Sequence, residues 1–186
     1  MKTFKDLLIE LNACSPAIVW AEDKNIEEVL RDSYRGDWLL WLAKKLDLPL
    51  NKLTLAKARC AKTVIHLMKD KRSVDAVNVA ERFGLDECSL EELNAAATAA
   101  YAAADDADAY AAYAAYAAAD DAAAYAAYAA ADASYAYAAY ADTDAAYADT
   151  DADADARKNN QQHTSDICVE ILGQLLIDAV NNNLKK

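Results

Sequence analysis

The chain has 186 residues, a formal net charge of −12, and only three Gly and two Pro. So few turn-forming residues, together with the absence of alternating β-branched residues, exclude a protein built mainly from hairpins and sheets. Three widely separated glycines also exclude the common glycine-rich loops that hold nucleotide phosphates. The composition therefore predicts an all-α fold with a single domain over residues 1–186.

Residues 1–94 are predicted to form a core of short helices. Thr3 is the predicted N-cap of the first helix. Ser15 is the predicted N-cap of the second helix, with Pro16 in its first turn. Asn25 and Glu28 have the three-residue spacing of a capping box and predict the start of the third helix.

The block Gly36-Asp37-Trp38-Leu39-Leu40-Trp41-Leu42-Ala43 is apolar on nearly every side. Such a segment is typical of a buried, central helix, and it should stop before Pro49. A longer helix is predicted from about Asn51, and a further helix is predicted to be closed by Gly84. The longer helix carries its apolar residues at spacings of three and four: Leu53, Ala56, Cys60, Val64 and Leu67.

The capping box of Ser89 and Glu92 predicts a helix that continues into an Ala-rich segment over residues 95–156. This segment carries 12 Asp and no Lys, Arg or Glu, so the other 19 acidic residues balance the 19 basic ones. All the excess negative charge therefore lies in one segment. We predict two or three Ala/Tyr/Asp-rich helices there, broken near Asp120 and folded back against the core to complete a compact bundle.

Residues 157–165 are polar and predict a turn, with a last helix over 165–186 that begins at Ser165 or Asp166. The predicted inward face of this amphipathic helix should pack against residues 1–94. Its apolar residues are Ile167, Ile171, Leu172, Leu175, Leu176 and Ala179.

The acidic segment contains the first candidate site, a partner-binding surface. Adjacent carboxylates on a helix point about 100° apart, which is poor geometry for a shared metal ion, so helix caps and a solvated face explain most of them. A field of Asp with interspersed Tyr would still attract a basic protein. Nucleic acid would be repelled. The candidate residues are Asp105, Asp106, Tyr110, Tyr113, Asp120 and Asp121.

A second candidate cluster combines aromatic residues with charged ones. It is either a ligand pocket or a structural ion-pair cluster, and its residues are Trp20, Arg35, Asp37, Trp38, Trp41 and Arg59. If Arg59 faces the aromatic core, it should pair with Asp37 or another acid, because an unpaired buried charge is costly.

The remaining chemistry-bearing residues predict neither catalysis nor a cofactor. The four cysteines are far apart and lack a Cys-x-x-Cys spacing, so we expect buried thiols and no metal site. The two histidines are not placed beside a Ser or Cys nucleophile. The chain shows neither a signal-peptide pattern at its start nor a stretch of about 20 apolar residues, and we expect a cytosolic protein.

Several short motifs together resemble the Imm-five-like immunity protein family. They are Ala13-Cys14, Trp20, the block Arg35-Gly36-Asp37-Trp38-Leu39-Leu40-Trp41-Leu42, Arg59-Cys60-Ala61, the Ala-rich tract that ends near Arg157, and Ser165-Asp166-Ile167-Cys168. The family is found in bacteria and in phage genomes. The resemblance implies the neutralisation of a toxin from a polymorphic secretion system. The tract departs from the family in its many Asp and Tyr residues.

Charge segregation and this resemblance lead to one principal functional expectation. We expect a non-enzymatic protein that neutralises a basic toxin or defence effector through its acidic helices. One alternative is a sponge that sequesters a nucleotide signal of a defence system. Another is a structural helical protein or a mimic of nucleic acid.

Overall fold

The computed structural model of the protein describes residues 2–68, 70–104 and 150–185, and this part of the chain forms helices without any strand. The all-α prediction is therefore confirmed. In chain order the helices are α1 (Phe4–Glu10), α2 (Ser15–Trp20), α3 (Ile26–Asp32), α4 (Gly36–Lys45), α5 (Leu50–Lys62), a 3₁₀ turn (Ile65–Leu67), α6 (Lys71–Gly84), α7 (Leu90–Ala104) and α8 (Thr150–Leu184).

Side-chain caps mark the starts of four helices: α1, α3, α6 and α7. Thr3 and Asn25 cap α1 and α3, each within a complete capping box. Before α7, the Ser89 side chain accepts a hydrogen bond from the backbone of Glu92 at 3.2 Å, and the Glu92 side chain accepts one in return at 3.0 Å. The prediction for Ser15 is wrong, because Ser15 is the first residue of α2 and the position before it makes no side-chain cap.

Three helices end in the same way, with an Asn or Asp in the left-handed conformation. Asn12, Asp47 and Asp86 have φ values of 60°, 52° and 63° and follow α1, α4 and α6. At each position the backbone makes the paired hydrogen bonds of a Schellman motif, such as those from Asn12 and Ala13 back to the last turn of α1. Asn and Asp tolerate this conformation better than other side chains. The chain can therefore end helices sharply with very few glycines.

Gly84 has a different role from the one predicted. It is the last residue inside α6, and Asp86 takes the left-handed position that ends the helix. A Cβ atom at Gly84 would lie 2.5 Å from Leu55 Cβ and 2.7 Å from Leu55 Cα. The glycine is therefore needed because α5 and α6 approach closely.

The core is built around α4, α5 and α8, and α6 and α7 extend it on the far side of α5. Leu40 and Ala43 of α4 are fully buried, as predicted for the central helix. The fully buried apolar residues of α8 are Cys168, Leu172, Leu176 and Val180. Ile167, Ile171, Leu175 and Ala179 are only half-buried, so the inward face of α8 is rotated relative to the prediction.

The predicted turn over residues 157–165 is wrong, because α8 runs unbroken from Thr150 to Leu184. Thr164 and Ser165 are buried inside this helix and already have hydrogen-bond partners. Asn160 donates a hydrogen bond to Thr63 at 3.0 Å. The polar side chains of this region therefore make contacts with the rest of the core, and the helix continues through it without a turn.

The expectation of buried thiols holds for two of the four cysteines. Cys60 and Cys168 are buried, Cys88 is half-buried, and Cys14 is exposed. Cys14 is exposed because it lies in the loop just before the short helix α2. The prediction of four buried thiols is therefore wrong for Cys14 and only partly right for Cys88.

The helix capped at Ser89 continues into the Ala-rich segment as far as Ala104, as predicted. The predicted break near Asp120 and the folding back of the Ala-rich helices lie outside the described residues. Within the described ranges, no helix combines the length and the apolar character that a membrane span requires.

Candidate functional site

A cavity of about 280 Å³ lies among α1, α2, α3 and α4. Its wall is mainly aliphatic and aromatic, with Phe4 and three Trp side chains among the larger contributors. Ser33, Arg35, Asp37 and Cys14 are its polar lining residues. An apolar cavity with a few converging polar groups is the usual form of a small-molecule site.

Three rings beside the cavity form what we call the aromatic cluster: Trp20, Tyr34 and Trp38. The ring centroids of Trp20 and Trp38 are 5.7 Å apart, and those of Tyr34 are 5.9 Å from Trp20 and 5.8 Å from Trp38. The interplanar angles of 54° to 78° are tilted or edge-to-face. Each such pair contributes roughly 0.5–1.5 kcal/mol beyond the burial of its area. The cluster therefore ties the end of α2 to the start of α4.

The sequence of α4 explains how its Trp residues reach the cavity. Trp38 and Trp41 are three residues apart, so they lie on the same side of the helix. Leu39, Leu40 and Leu42 are buried in the core, and Leu39 and Leu42 also contribute to the cavity wall. A single helix thus provides both the core and one wall of the cavity.

Arg35 and Asp37 form a bidentate ion pair at the start of α4. Arg35 Nε donates to Asp37 Oδ1 at 2.7 Å, and Nη2 donates to Oδ2 at 2.5 Å. The Arg35 guanidinium also lies over the Trp38 ring, with its Cζ 4.9 Å from the centroid. The hydrogen bond with Asp37 raises the pKa of Arg35. An acidic residue in the first turn is favoured by the helix dipole, which helps to hold the pair in place.

A second polar cluster packs against the start of α4. Its residues are Ser33, Cys60, Thr164, Ser165 and Cys168. Ser165 donates its hydroxyl hydrogen bond toward Ser33, whose backbone oxygen and Oγ are both 3.0 Å away. The thiols of Cys60 and Cys168 are 3.8 Å apart. Their hydrogen bond, together with burial, raises the pKa of Cys168 well above its ordinary value.

The backbones of α4 and α8 also pack closely at the start of α4. A Cβ atom on Gly36 would lie 2.7 Å from both the backbone carbonyl carbon and oxygen of Thr164. The first turn of α4 therefore rests directly on α8. Because Asp37 and Trp38 belong to that turn, α8 helps to fix the polar and aromatic wall of the cavity.

The structure brings together five of the six residues predicted for this cluster. Trp20, Arg35, Asp37, Trp38 and Trp41 all line the cavity.

The sixth residue, Arg59, does not belong to the cluster. It lies on α5, 3.6 Å from Glu81 and 3.7 Å from Glu170. Of the two pairings considered for Arg59, with Asp37 or with another acid, the structure shows the second. Arg35 already occupies both oxygens of the Asp37 carboxylate.

The structure also adds contributors that the sequence analysis missed. Tyr34 packs against both Trp rings of the aromatic cluster, and Lys24 lies 4.9 Å from the centroid of the Trp20 ring. Phe4 enters the wall from α1. Tyr34 directly precedes the Arg35 motif, so its position in the chain was a usable signal. Nothing local marks Phe4.

The partner-binding surface predicted from the sequence lies outside the described part of the chain. Asp105, Asp106, Tyr110, Tyr113, Asp120 and Asp121 all lie outside the described residues. Among the residues that are described, no group of three or more His, Cys, Asp or Glu side chains is arranged to hold a metal ion.

Comparisons of the chain with protein-family models, with curated proteins and with solved structures find no match.

Proposed function

We propose that this is a non-enzymatic, cytosolic binding protein that neutralises a basic toxin or defence effector through the acidic surface of residues 95–156. The observation that carries the proposal is the charge distribution, since 12 Asp and no basic residue occur in this segment. A local negative field raises the rate at which a basic partner is encountered. The resemblance to immunity proteins supports the same role.

The described helices at the two ends of the acidic segment both pack on the helical core. Ala100 of α7 is fully buried, and α7 packs on α6. At the other end, α8 packs on α4 and α5. The chain therefore leaves one helical body and returns to the same body.

The test compares two variants with the same change in charge. The first replaces Asp105, Asp106, Asp120 and Asp121 by Asn. The matched control replaces four exposed carboxylates outside the segment by their amides: Asp23, Asp47, Glu87 and Glu91. Each variant raises the net charge by four.

Tagged wild-type protein and both variants are purified gently from the native host and examined by native mass spectrometry. We expect a basic protein of several kilodaltons on the wild type and on the control, and much less of it on the segment variant. Protection of cells that express this partner should follow the same order. Equal binding and equal protection by the two variants would overturn the proposed acidic surface.

The aromatic cavity favours a second candidate function, the sequestration of a small molecule that serves as a signal. In the same mass spectra, an added mass of a few hundred daltons in place of a protein would support this candidate. A structural protein or a nucleic-acid mimic remains the third proposal. A mimic depends on where the charges lie, so scrambling the Asp positions at constant charge should abolish its effect, whereas a structural role should survive.

A further inference from the structure

We infer that the cavity among α1, α2, α3 and α4 is a binding site for a free small molecule. The ligand is an uncharged, planar, bicyclic heteroaromatic ring of the purine-base type. This inference does not depend on the neutralisation of a protein partner. It rests on the size of the cavity, on its aromatic wall, and on the state of the Arg35–Asp37 pair.

The volume sets the size of the ligand. A cavity of about 150 Å³ is enough to hold benzene in a protein interior. The cavity described above has about 280 Å³. It therefore has room for two fused rings, but it is at the lower end of the sizes found for larger ligands. A complete nucleotide would have to leave its phosphates outside.

The wall is suited to a flat ring. Trp20, Trp38 and Trp41 all line the cavity, and the remaining wall is largely aliphatic. Stacking of a base on an aromatic side chain contributes about 1–3 kcal/mol, which corresponds to roughly fivefold to more than a hundredfold in affinity. The aromatic cluster holds Trp20 and Trp38 in place before a ligand arrives, so little ordering is needed on binding.

The charged pair selects a neutral ligand with hydrogen-bond acceptors on its edge. Asp37 occupies Nε and Nη2 of Arg35 and cancels its charge, so the pair offers no net attraction to a phosphate. Nη1 and the second hydrogen of Nη2 make no hydrogen bond to a described residue, and the guanidinium plane lies over the Trp38 ring. Two N–H donors on one edge of a guanidinium match the O6 and N7 acceptors of a purine. Arg35 is the basic residue of the lining and is already paired with Asp37, so a phosphate at the cavity would lose hydration without gaining a counter-charge.

The chain carries its own reporter for the test. It contains three Trp, and all three line the cavity, so intrinsic Trp fluorescence reports on this site. The whole protein is titrated with three probes: inosine, inosine 5′-monophosphate and indole. Indole and N-acetyltryptophanamide fluoresce as Trp does, so their binding is measured by isothermal titration calorimetry, with inosine repeated by the same method. Inosine presents O6 and N7 without charge, the monophosphate adds negative charge, and indole has two fused rings but neither acceptor.

We expect inosine to change the fluorescence saturably and to bind about tenfold more tightly than indole, since a hydrogen bond to a charged group contributes about 1.5–3 kcal/mol. The monophosphate should bind several-fold more weakly than inosine. Trp38→Ala should weaken inosine binding by about tenfold or more. Arg35→Lys should weaken inosine binding while leaving indole binding nearly unchanged.

Lys71→Ala, on the exposed face of α6, is the control and should behave as wild type. Circular dichroism checks the fold of each variant. If Trp38→Ala fails to fold, the comparison of inosine with indole in Arg35→Lys still decides the question. The inference is overturned if no probe gives a saturable change, if the monophosphate binds as tightly as inosine, or if indole binds as tightly as inosine. Tighter binding of N-acetyltryptophanamide than of inosine would also overturn it, because a partner's side chain would then be the better occupant.

Discussion

Replacement of Gly84 by Ala tests whether the contact between α5 and α6 is as close as the structure shows. The new Cβ would lie 2.5 Å from Leu55 Cβ, whereas ordinary contacts begin at 3.4 Å, so the helices would have to separate by about 0.9 Å. The nearest atoms include the Leu55 backbone, which cannot turn away as the end of a long side chain can.

The expected magnitude follows from two opposing effects. Ala is favoured over Gly in a helix by about 0.5–1 kcal/mol, and this gain is smaller at a terminal residue. Overpacking costs about 1–3 kcal/mol, and a gap of 0.5–1 Å loses roughly a quarter to a half of the dispersion energy at each affected contact. Ala58 and Ala80 are fully buried in the core cluster to which α5 and α6 both contribute, so such losses would be felt. We expect a net destabilisation of about 2 kcal/mol.

Urea unfolding followed by circular dichroism measures this change. With an m-value of about 2 kcal/mol/M, the midpoint should fall by about 1 M. Gly173→Ala is the control, because Gly173 lies within α8 and its Cβ would meet its nearest neighbours at 3.8 Å. That variant should be stabilised by about 0.5–1 kcal/mol. The proposed close contact is refuted if Gly84→Ala is as stable as wild type.

Three further predictions concern stability and use the same urea assay. Thr3→Ala removes the N-cap of α1 and should cost about 1 kcal/mol; an unchanged midpoint would mean that the cap contributes nothing. Ser165→Ala removes the buried hydroxyl that bonds Ser33 and should cost about 1–2 kcal/mol, and a loss below about 0.5 kcal/mol would contradict this. The pKa of Cys168 is raised in the folded state, chiefly by its hydrogen bond with Cys60, so the folded state favours the neutral thiol. Its contribution is complete below the ordinary thiol pKa of about 8.5 and declines as the pH rises above that value. Under reducing conditions, wild type should therefore lose more stability between neutral and alkaline pH than Cys168→Ser; parallel pH profiles would contradict the shift.

Part of the candidate site could be predicted from the sequence because its residues are close together in the chain. Arg35, Asp37, Trp38 and Trp41 lie within two turns of α4, and their spacing already places Trp38 and Trp41 on one side. The choice of Arg35 as the partner of Asp37 also depends on this proximity. The arginine considered from the sequence was Arg59, which is more distant from Asp37 in the chain.

The other part of the site depends on residues that the chain separates widely. Phe4 reaches the cavity only because α1 packs against α2 and α8. The support from α8 is more distant still, since Ser33 and Ser165 are 132 residues apart and Cys60 and Cys168 are 108 apart. No local pattern specifies such pairs.

The sequence by itself determined the helical class, the N-cap at Thr3, the capping box at Asn25, and the central position of α4. Capping, propensity and helical periodicity act over a few residues, so they can be read from a short stretch of chain. Only the tertiary structure decided that residues 157–165 continue a helix and that Gly84 serves a close contact between helices. These features depend on which surfaces meet, because a buried polar group is stable in a helix only when distant partners satisfy its hydrogen bonds.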